Sequence, residues 1–310
     1  MGGSSGGGIN YRGLSGSSAP AHIGVEDAAV EAFQTELGAL LSDLLATYND
    51  RDVALVEMRI EPIAEALCGE YSGQMDRLFG GSVAKHTYVD GLSDIDCLIT
   101  LDGSNLADHT PAAALEKIAQ TAGSVSANAT ITIGRMAVTV RFDDGMEIQL
   151  LPAMRAADGK VRIPGGNADW STVDPQGFRD ALTRRNGECG GKLVPTIKLA
   201  KAVLANMDSD LGLTGYHVES LAIEAFRRYD GTRTTAAMLP AFFERARSLV
   251  LAPISDSTGQ SVHVDSDLGP PESEQRQHIS LALGRIARQM RTASAAGSRD
   301  RWNNFFGLGE

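Results

Sequence analysis

The chain has 310 residues, 43% of them apolar and 22% charged, which is enough for the core of one large domain or two ordinary ones and excludes general disorder. No apolar run reaches the roughly 18 residues of a membrane-spanning helix. The formal net charge of −11 argues against a surface that grips long nucleic acid, and three widely spaced cysteines without a C-x-x-C argue against a disulfide framework or zinc site, as in a reducing cytosol.

Met1 to Pro20 is rich in Gly and Ser, has no signal-peptide apolar region, and reads with the next few residues as a flexible tail over 1–24. Val30, Phe33, Leu37, Leu40, Leu41, Leu44 and Leu45 recur with helical spacing, predicting a long helix from Val25 to Tyr48. A second helix is predicted from about Asp52 to Tyr71. Leu78-Phe79 then ends a short apolar stretch in Gly80-Gly81-Ser82, and Asp94 to Leu101 (DIDCLITL) reads as a strand buried on at least one face. Pro111 to Ala122 is helical. Ala129–Gly134, Ala137–Phe142 and Met146–Leu151 are strands, the last two joined by an Asp143-Asp144-Gly145 turn.

Beyond Pro152 the strands are expected to stop. Met154 to Val173 reads as a loop and as the hinge between two lobes with a cleft between them. Five helices follow: Phe178–Arg185, Leu193–Met207, Tyr216–Arg228, Thr234–Leu251 and Glu272–Ala293, the last two separated by a polar loop over Ser255–Pro271. The expected organisation is α+β: residues 25–174 as a mixed sheet with helices, and 175–310 as an all-helical lobe.

Asp-x-Asp occurs four times. Asp50/Asp52, Asp208/Asp210 and Asp265/Asp267 sit in polar surroundings typical of caps, turns and exposed loops. Asp94/Asp96 runs directly into Cys97-Leu98-Ile99-Thr100-Leu101. Residues two apart on a strand share a face. Two carboxylates crowded beside an apolar core need either a cation or a solvated strand start. Gly81-Ser82, separated from Asp94 by eleven residues, lets backbone approach a phosphate closely, and a nest or helix opening there would present free N–H groups. A phosphate cradle beside two hard oxygen ligands selects Mg²⁺ or Mn²⁺ and points to nucleotidyl transfer with two ions. There are only six lysines, and Lys192, Lys198 and Lys201 fall within ten residues. They form either a solvated helix face or a local phosphate patch.

Gly81-Ser82, eleven residues, Asp94-Ile95-Asp96 resembles the signature of the DNA polymerase β-like nucleotidyltransferases. Within that superfamily the chain resembles the cGAS/DncV-like nucleotidyltransferases (CD-NTases) of bacterial anti-phage CBASS systems. The pattern G-S-x-x-x-x-T is present and ends at Thr87. Gln149-Leu150-Leu151-Pro152-Ala153 resembles the family's third strand, and Leu193-Val194-Pro195-Thr196-Ile197-Lys198 its central lysine helix. Gly215-Tyr216-His217-Val218-Glu219 resembles a helix opening S-Y-H-x-E, and Trp302 to Gly307 (WNNFFG) the closing element.

The resemblance implies a polymerase β-like core followed by a helical lobe like that of the oligoadenylate synthetases. It implies that Asp94 and Asp96 hold two Mg²⁺ or Mn²⁺ ions. Gly81, Ser82 and Thr87 would bind the donor nucleotide, with Lys198 and Lys201 neutralising its phosphates. Tyr216 would stack on a base or stand as a half-buried helix aromatic. His217 is expected to be packed or hydrogen-bonded, and Lys85 and His86 to touch phosphate or remain solvated. Nucleoside triphosphates would be joined without a template into a cyclic or short linear oligonucleotide that activates a separate effector protein, with no long nucleic acid and no membrane involved. A terminal RNA nucleotidyltransferase, a toxin that adenylylates protein and a non-enzymatic nucleotide sensor are the rival readings.

Two residues depart from the family pattern. The third carboxylate position is Gln149, with Glu147 on the same strand face about 6.6 Å away. Gly215 stands where a serine is expected, which removes a hydroxyl contact to nucleotide. Either Gln149 occupies the carboxylate's place or Glu147 takes over through a shifted register. The LLPA sequence after Gln149 favours the first arrangement.

Overall fold

The computed structural model describes residues 21–49, 53–71, 74–79, 95–102, 109–155, 160–165, 169–207, 211–254, 265 and 268–309. Among them, helices α1 (Ala21–Thr47) and α2 (Val53–Tyr71) precede strands β1 (Gln74–Phe79) and β2 (Ile95–Asp102). Then come α3 (Pro111–Val125), β3 (Ala129–Ile133), β4 (Val138–Phe142), β5 (Glu147–Arg155), β6 (Val161–Pro164) and β7 (Trp170–Val173). Among the described residues six helices follow: α4 (Pro175–Glu188), α5 (Leu193–Ala205), α6 (Gly215–Ala225), α7 (Thr235–Leu249), α8 (Glu274–Ala295) and α9 (Arg299–Asn304). Among the described residues no helix is long and apolar enough to cross a membrane.

The sheet runs β1-β2-β5-β4-β3. β2 and β5 are parallel; the other neighbours are antiparallel. Alternation along the strands decides which face is covered. Val138, Val140, Ile148 and Leu150 are fully buried, and with Cys97 and Ile99 they pack against Val56, Ile60, Ile63 and Leu67 of α2 and Ala114, Leu115, Ile118 and Ala122 of α3. Thr139, Glu147 and Gln149 alternate with these positions and are half-buried on the other face.

The β4–β5 hairpin closes as predicted through Asp143-Asp144-Gly145. The Gly145 N–H donates to the Phe142 carbonyl at 2.9 Å, and Gly145 has φ +87°, a left-handed conformation that a side chain at this position would resist.

The described residues among 154–173 are mostly strand rather than the expected loop. β5 continues to Arg155, and β6 and β7 extend it by antiparallel pairing, around a small cluster of Ala153, Val161 and Ile163. Two features hid this. The strands β6 and β7 are only four residues long, and Pro152 and Pro164 lie in strands. Pro152 lies beyond the last β4 pair, Val138–Leu150, and is paired with Ile99 of β2 on the other side.

Side-chain caps start the helical half. Asp174 accepts from Gly177 N ahead of Pro175, and Thr214, Thr234, Ser273 and Ser298 each accept from the backbone three residues on. Trp302, Phe226, Phe242 and Phe243 fill the core of this half. Helix α1, which the sequence groups with the sheet, buries Phe33, Leu37, Leu40, Leu41 and Leu44 in that same core. Val30, read as part of the stripe, is 60% exposed.

Asp265, read from sequence as a cap, turn or exposed loop residue, is fully buried. Its carboxylate accepts from Arg276 Nη1 at 2.5 Å and from the Ile254 N–H at 2.9 Å. Arg276, also buried, donates further to the carbonyls of Val250, Ala252, Asp265 and Gly269. One guanidinium thereby satisfies the turn after α7 and the entry to α8.

Candidate active site

Gly81, Ser82, Lys85, His86, Thr87 and Asp94 lie outside the described residues. The described remainder forms two groups, one on the sheet and one on the helices.

On the sheet, the parallel β2–β5 register sets Asp96 against Gln149, and β4 sets Thr139 against Gln149 from the other side. Thr139, Gln149 and Asp96 therefore form one row across three strands. Glu147 belongs to the next row, opposite Arg141. Arg141 Nε donates to Glu147 Oε1 at 2.5 Å, and its Nη2 forms an ion pair with the same oxygen. The half-buried face of β5 thus carries Gln149 at the register position of Asp96 and, one step along, a carboxylate already matched to a guanidinium.

Hard oxygen donors at 96 and 149 suit a cation of the Mg²⁺ type, but an amide supplies no charge. Opposite Asp96, β5 carries an amide rather than a carboxylate. Among the described residues no three His, Cys, Asp or Glu side chains converge on a metal-sized site.

On the helices, Lys198 and Lys201 stand one turn apart on α5 and are only 9% and 8% exposed, so they are not a solvated face. Lys192 precedes the helix and is exposed. Lys201 Nζ donates to Glu219 Oε1 of α6 at 2.9 Å, and Glu219 is 1% exposed. Lys198 Nζ donates to the side-chain oxygen of Asn49, just beyond α1. Burial pushes the Lys198 ammonium below the ordinary lysine value, and the Lys201 charge adds to the effect.

The two lysines therefore differ. Lys201 is matched by a carboxylate, while the hydrogen-bond partner of Lys198 is a neutral amide. Glu219 was legible as part of the G-Y-H-V-E segment, though not as a lysine partner. Asn49 lies 149 residues from Lys198 and gave no sequence signal.

Gly215 has a local reason. A Cβ there would stand 3.2 Å from Lys201 Nζ and 3.3 Å from Cε, so the glycine leaves room for the lysine. Tyr216 is 37% exposed, its ring 4.8 Å from that of Phe178. His217 is buried in a capping box: its Nδ1 accepts from Thr214 N at 3.1 Å, and its own N–H donates to Thr214 Oγ1 at 3.3 Å. The packed, hydrogen-bonded alternative describes His217.

Residues 32–186 match the family described as the Second Messenger Oligonucleotide or Dinucleotide Synthetase (SMODS) domain. No curated protein matches the sequence. Solved structures resemble the fold over most of the chain. The Bradyrhizobium diazoefficiens CD-NTase CdnG in complex with GTP aligns with a TM-score of 0.64 at 16% identity, covering 88% of this chain and 95% of that one. The GTP-bound form of Vibrio cholerae DncV gives 0.62 at 10% identity, with 93% and 88% covered. E. coli MS115-1 CdnC with ATP gives 0.61 at 15% identity, with 90% and 97% covered. The expected α+β architecture, a nucleotidyltransferase sheet followed by a helical lobe, is the fold these structures share with the chain.

Proposed function

The chain belongs to the SMODS family, and on that premise we propose that it joins nucleoside triphosphates without a template. The hydroxyl of one nucleotide attacks the α-phosphorus of another. The bond from that phosphorus to the oxygen bridging it to the β-phosphate breaks, and pyrophosphate leaves. The product is a cyclic or short linear oligonucleotide that acts on a separate effector in anti-phage defence, in the cytosol where its substrates are found.

The observation that carries this reading is the pairing of β2 with β5 inside the matched residues. It sets the strand that begins at the Asp-x-Asp segment beside the third-carboxylate position at Gln149. The nucleotide-bound CdnG, DncV and CdnC structures support triphosphates as substrates.

Asp94 and Asp96 are the proposed ligands of Mg²⁺ or Mn²⁺, with Gly81, Ser82 and Thr87 at the triphosphate. The cations, when bound, supply positive charge to the phosphates. Lys198, matched by a neutral amide, would take a phosphate oxygen as its counter-charge, with Lys201 beside it in the Glu219 pair. Tyr216 offers an exposed ring edge to a base.

Incubation of the full chain with labelled nucleoside triphosphates and Mg²⁺ or Mn²⁺, followed by chromatography, tests this. Pyrophosphate release and a phosphatase-resistant oligonucleotide are expected, and both should vanish in Asp94→Asn and Asp96→Asn proteins that remain folded. Gln149 favours one second reading, a nucleotide-binding sensor, which would bind the labelled nucleotides and return them unjoined.

A further inference from the structure

We propose that β5 contributes no carboxylate to cation binding in this chain, so that a divalent cation is held together with its nucleotide rather than ahead of it. The inference rests on the nucleotidyltransferase reading of the site.

The position opposite Asp96 is Gln149 by direct register. Residues two apart on a strand are about 6.6 Å apart, so Glu147 stands a full step from that row. Glu147 also has its cation already. Arg141 stands across from it in the hairpin and engages Oε1 through both Nε and Nη2. A carboxylate oxygen held by a guanidinium offers less of its charge to a metal.

Nor can Glu147 slip into the row. A one-residue shift would turn Val140, Ile148 and Leu150, all fully buried, out of the α2–α3 core. A two-residue shift keeps the faces but undoes the hairpin closure at Phe142, Gly145 and Met146 and the pairing of β5 with β2.

Cation affinity at oxygen sites rises with the number of charged ligands. With a neutral amide at 149, the sheet offers less charge than a three-carboxylate site. The missing charge arrives with the triphosphate.

Mn²⁺ binding to the full chain, read by electron paramagnetic resonance, tests this without catalysis. Wild type should bind Mn²⁺ weakly alone and about tenfold or more tightly with a non-hydrolysable ATP or GTP analogue. Gln149→Glu, which is isosteric, and Gln149→Asp should each tighten nucleotide-free Mn²⁺ binding by about tenfold or more, and Glu147→Gln should leave it unchanged. Two variants at 149, each checked by thermal melting, keep the comparison open if one fails to fold. Unchanged affinity in both Gln149 variants, or a large loss in Glu147→Gln, overturns the proposal. Failure of every protein to bind the analogue overturns the functional reading instead, because the Gln149 and Glu147 comparison is made without nucleotide.

Discussion

Lys198 shows how one residue's surroundings separate it from a neighbour of the same type. Sequence reads Lys198 and Lys201 as either a solvated helix face or a phosphate patch, with Lys198 the first candidate, because they share a helix and a spacing. Among the described residues the fold gives Lys201 a buried carboxylate and Lys198 an amide. Burial, helped by Lys201, lowers the Lys198 value in the folded state, so the fold binds fewer protons than the unfolded chain between that value and the ordinary 10.5. Stability therefore rises with pH across that window, and below it the charged, buried lysine burdens the fold. An anion relieves the burden. Lys198→Met should raise the melting temperature of the ligand-free protein and reduce the rise that triphosphate produces. Loss of the charge-assisted contact should weaken triphosphate binding by about 1.5–3 kcal/mol. A lower melting temperature with an unchanged triphosphate effect would make Lys198 a structural cation instead.

The β4–β5 hairpin carries both Gln149 and the Arg141–Glu147 pair, and helix α2 holds its turn in place. Arg59 of α2 donates to both oxygens of Asp144, at 3.0 and 2.7 Å, and its guanidinium lies 4.2 Å from the centre of the Phe142 ring. The Arg59 hydrogen bonds, with a smaller contribution from the Met146 N–H, lower the Asp144 carboxyl from its ordinary value of 3.8. A carboxyl lowered by folding stabilises the protein above its unfolded value, and the contribution is lost as pH falls through the folded one. The pair is exposed on the Asp144 side, so its contribution is modest and screened by salt. Asp144→Asn should melt below wild type at pH 7 and low ionic strength, and the gap should close below pH 3.8 as Asp144 itself becomes neutral. A gap that is the same at pH 7 and pH 2.5 would show that the ion pair contributes nothing.

At the scale of the molecule, α1 is the element whose place is least evident from chain order. It leads into α2 and the sheet, yet its leucines complete the core of the helical half. Leu41, fully buried there, is a direct probe. Leu41→Ala should cost about 2–5 kcal/mol, the range for opening a cavity in a packed core. Hydrogen exchange should show the loss of protection first in α5, α7 and α8 rather than in β4 and β5. Deprotection confined to the sheet would mean that α1 supports the sheet half after all. Asn49, just beyond this helix, accepts from Lys198, so the same helix that closes the core also brings the lysine's partner.

The amino-acid sequence by itself determined most of the helices, the longer strands and the family. Period-2 and period-3.6 spacing of apolar residues marks the helices and the longer strands, because burial on one face requires that spacing whatever the partner. The Asp-x-Asp segment, the LLPA strand and the lysine helix carry the family resemblance, since nucleotide chemistry fixes residue types at short separations. Tertiary structure decided what depends on distant neighbours. It placed Gln149 rather than Glu147 opposite Asp96, because strand register is set by a hairpin turn and a buried face together. It matched Glu147 to Arg141, Lys201 to Glu219, Lys198 to Asn49 and Asp265 to Arg276, and it made strands of 161–164 and 170–173. A charged side chain's role follows from the group that compensates it, and only folding brings that group within hydrogen-bond reach.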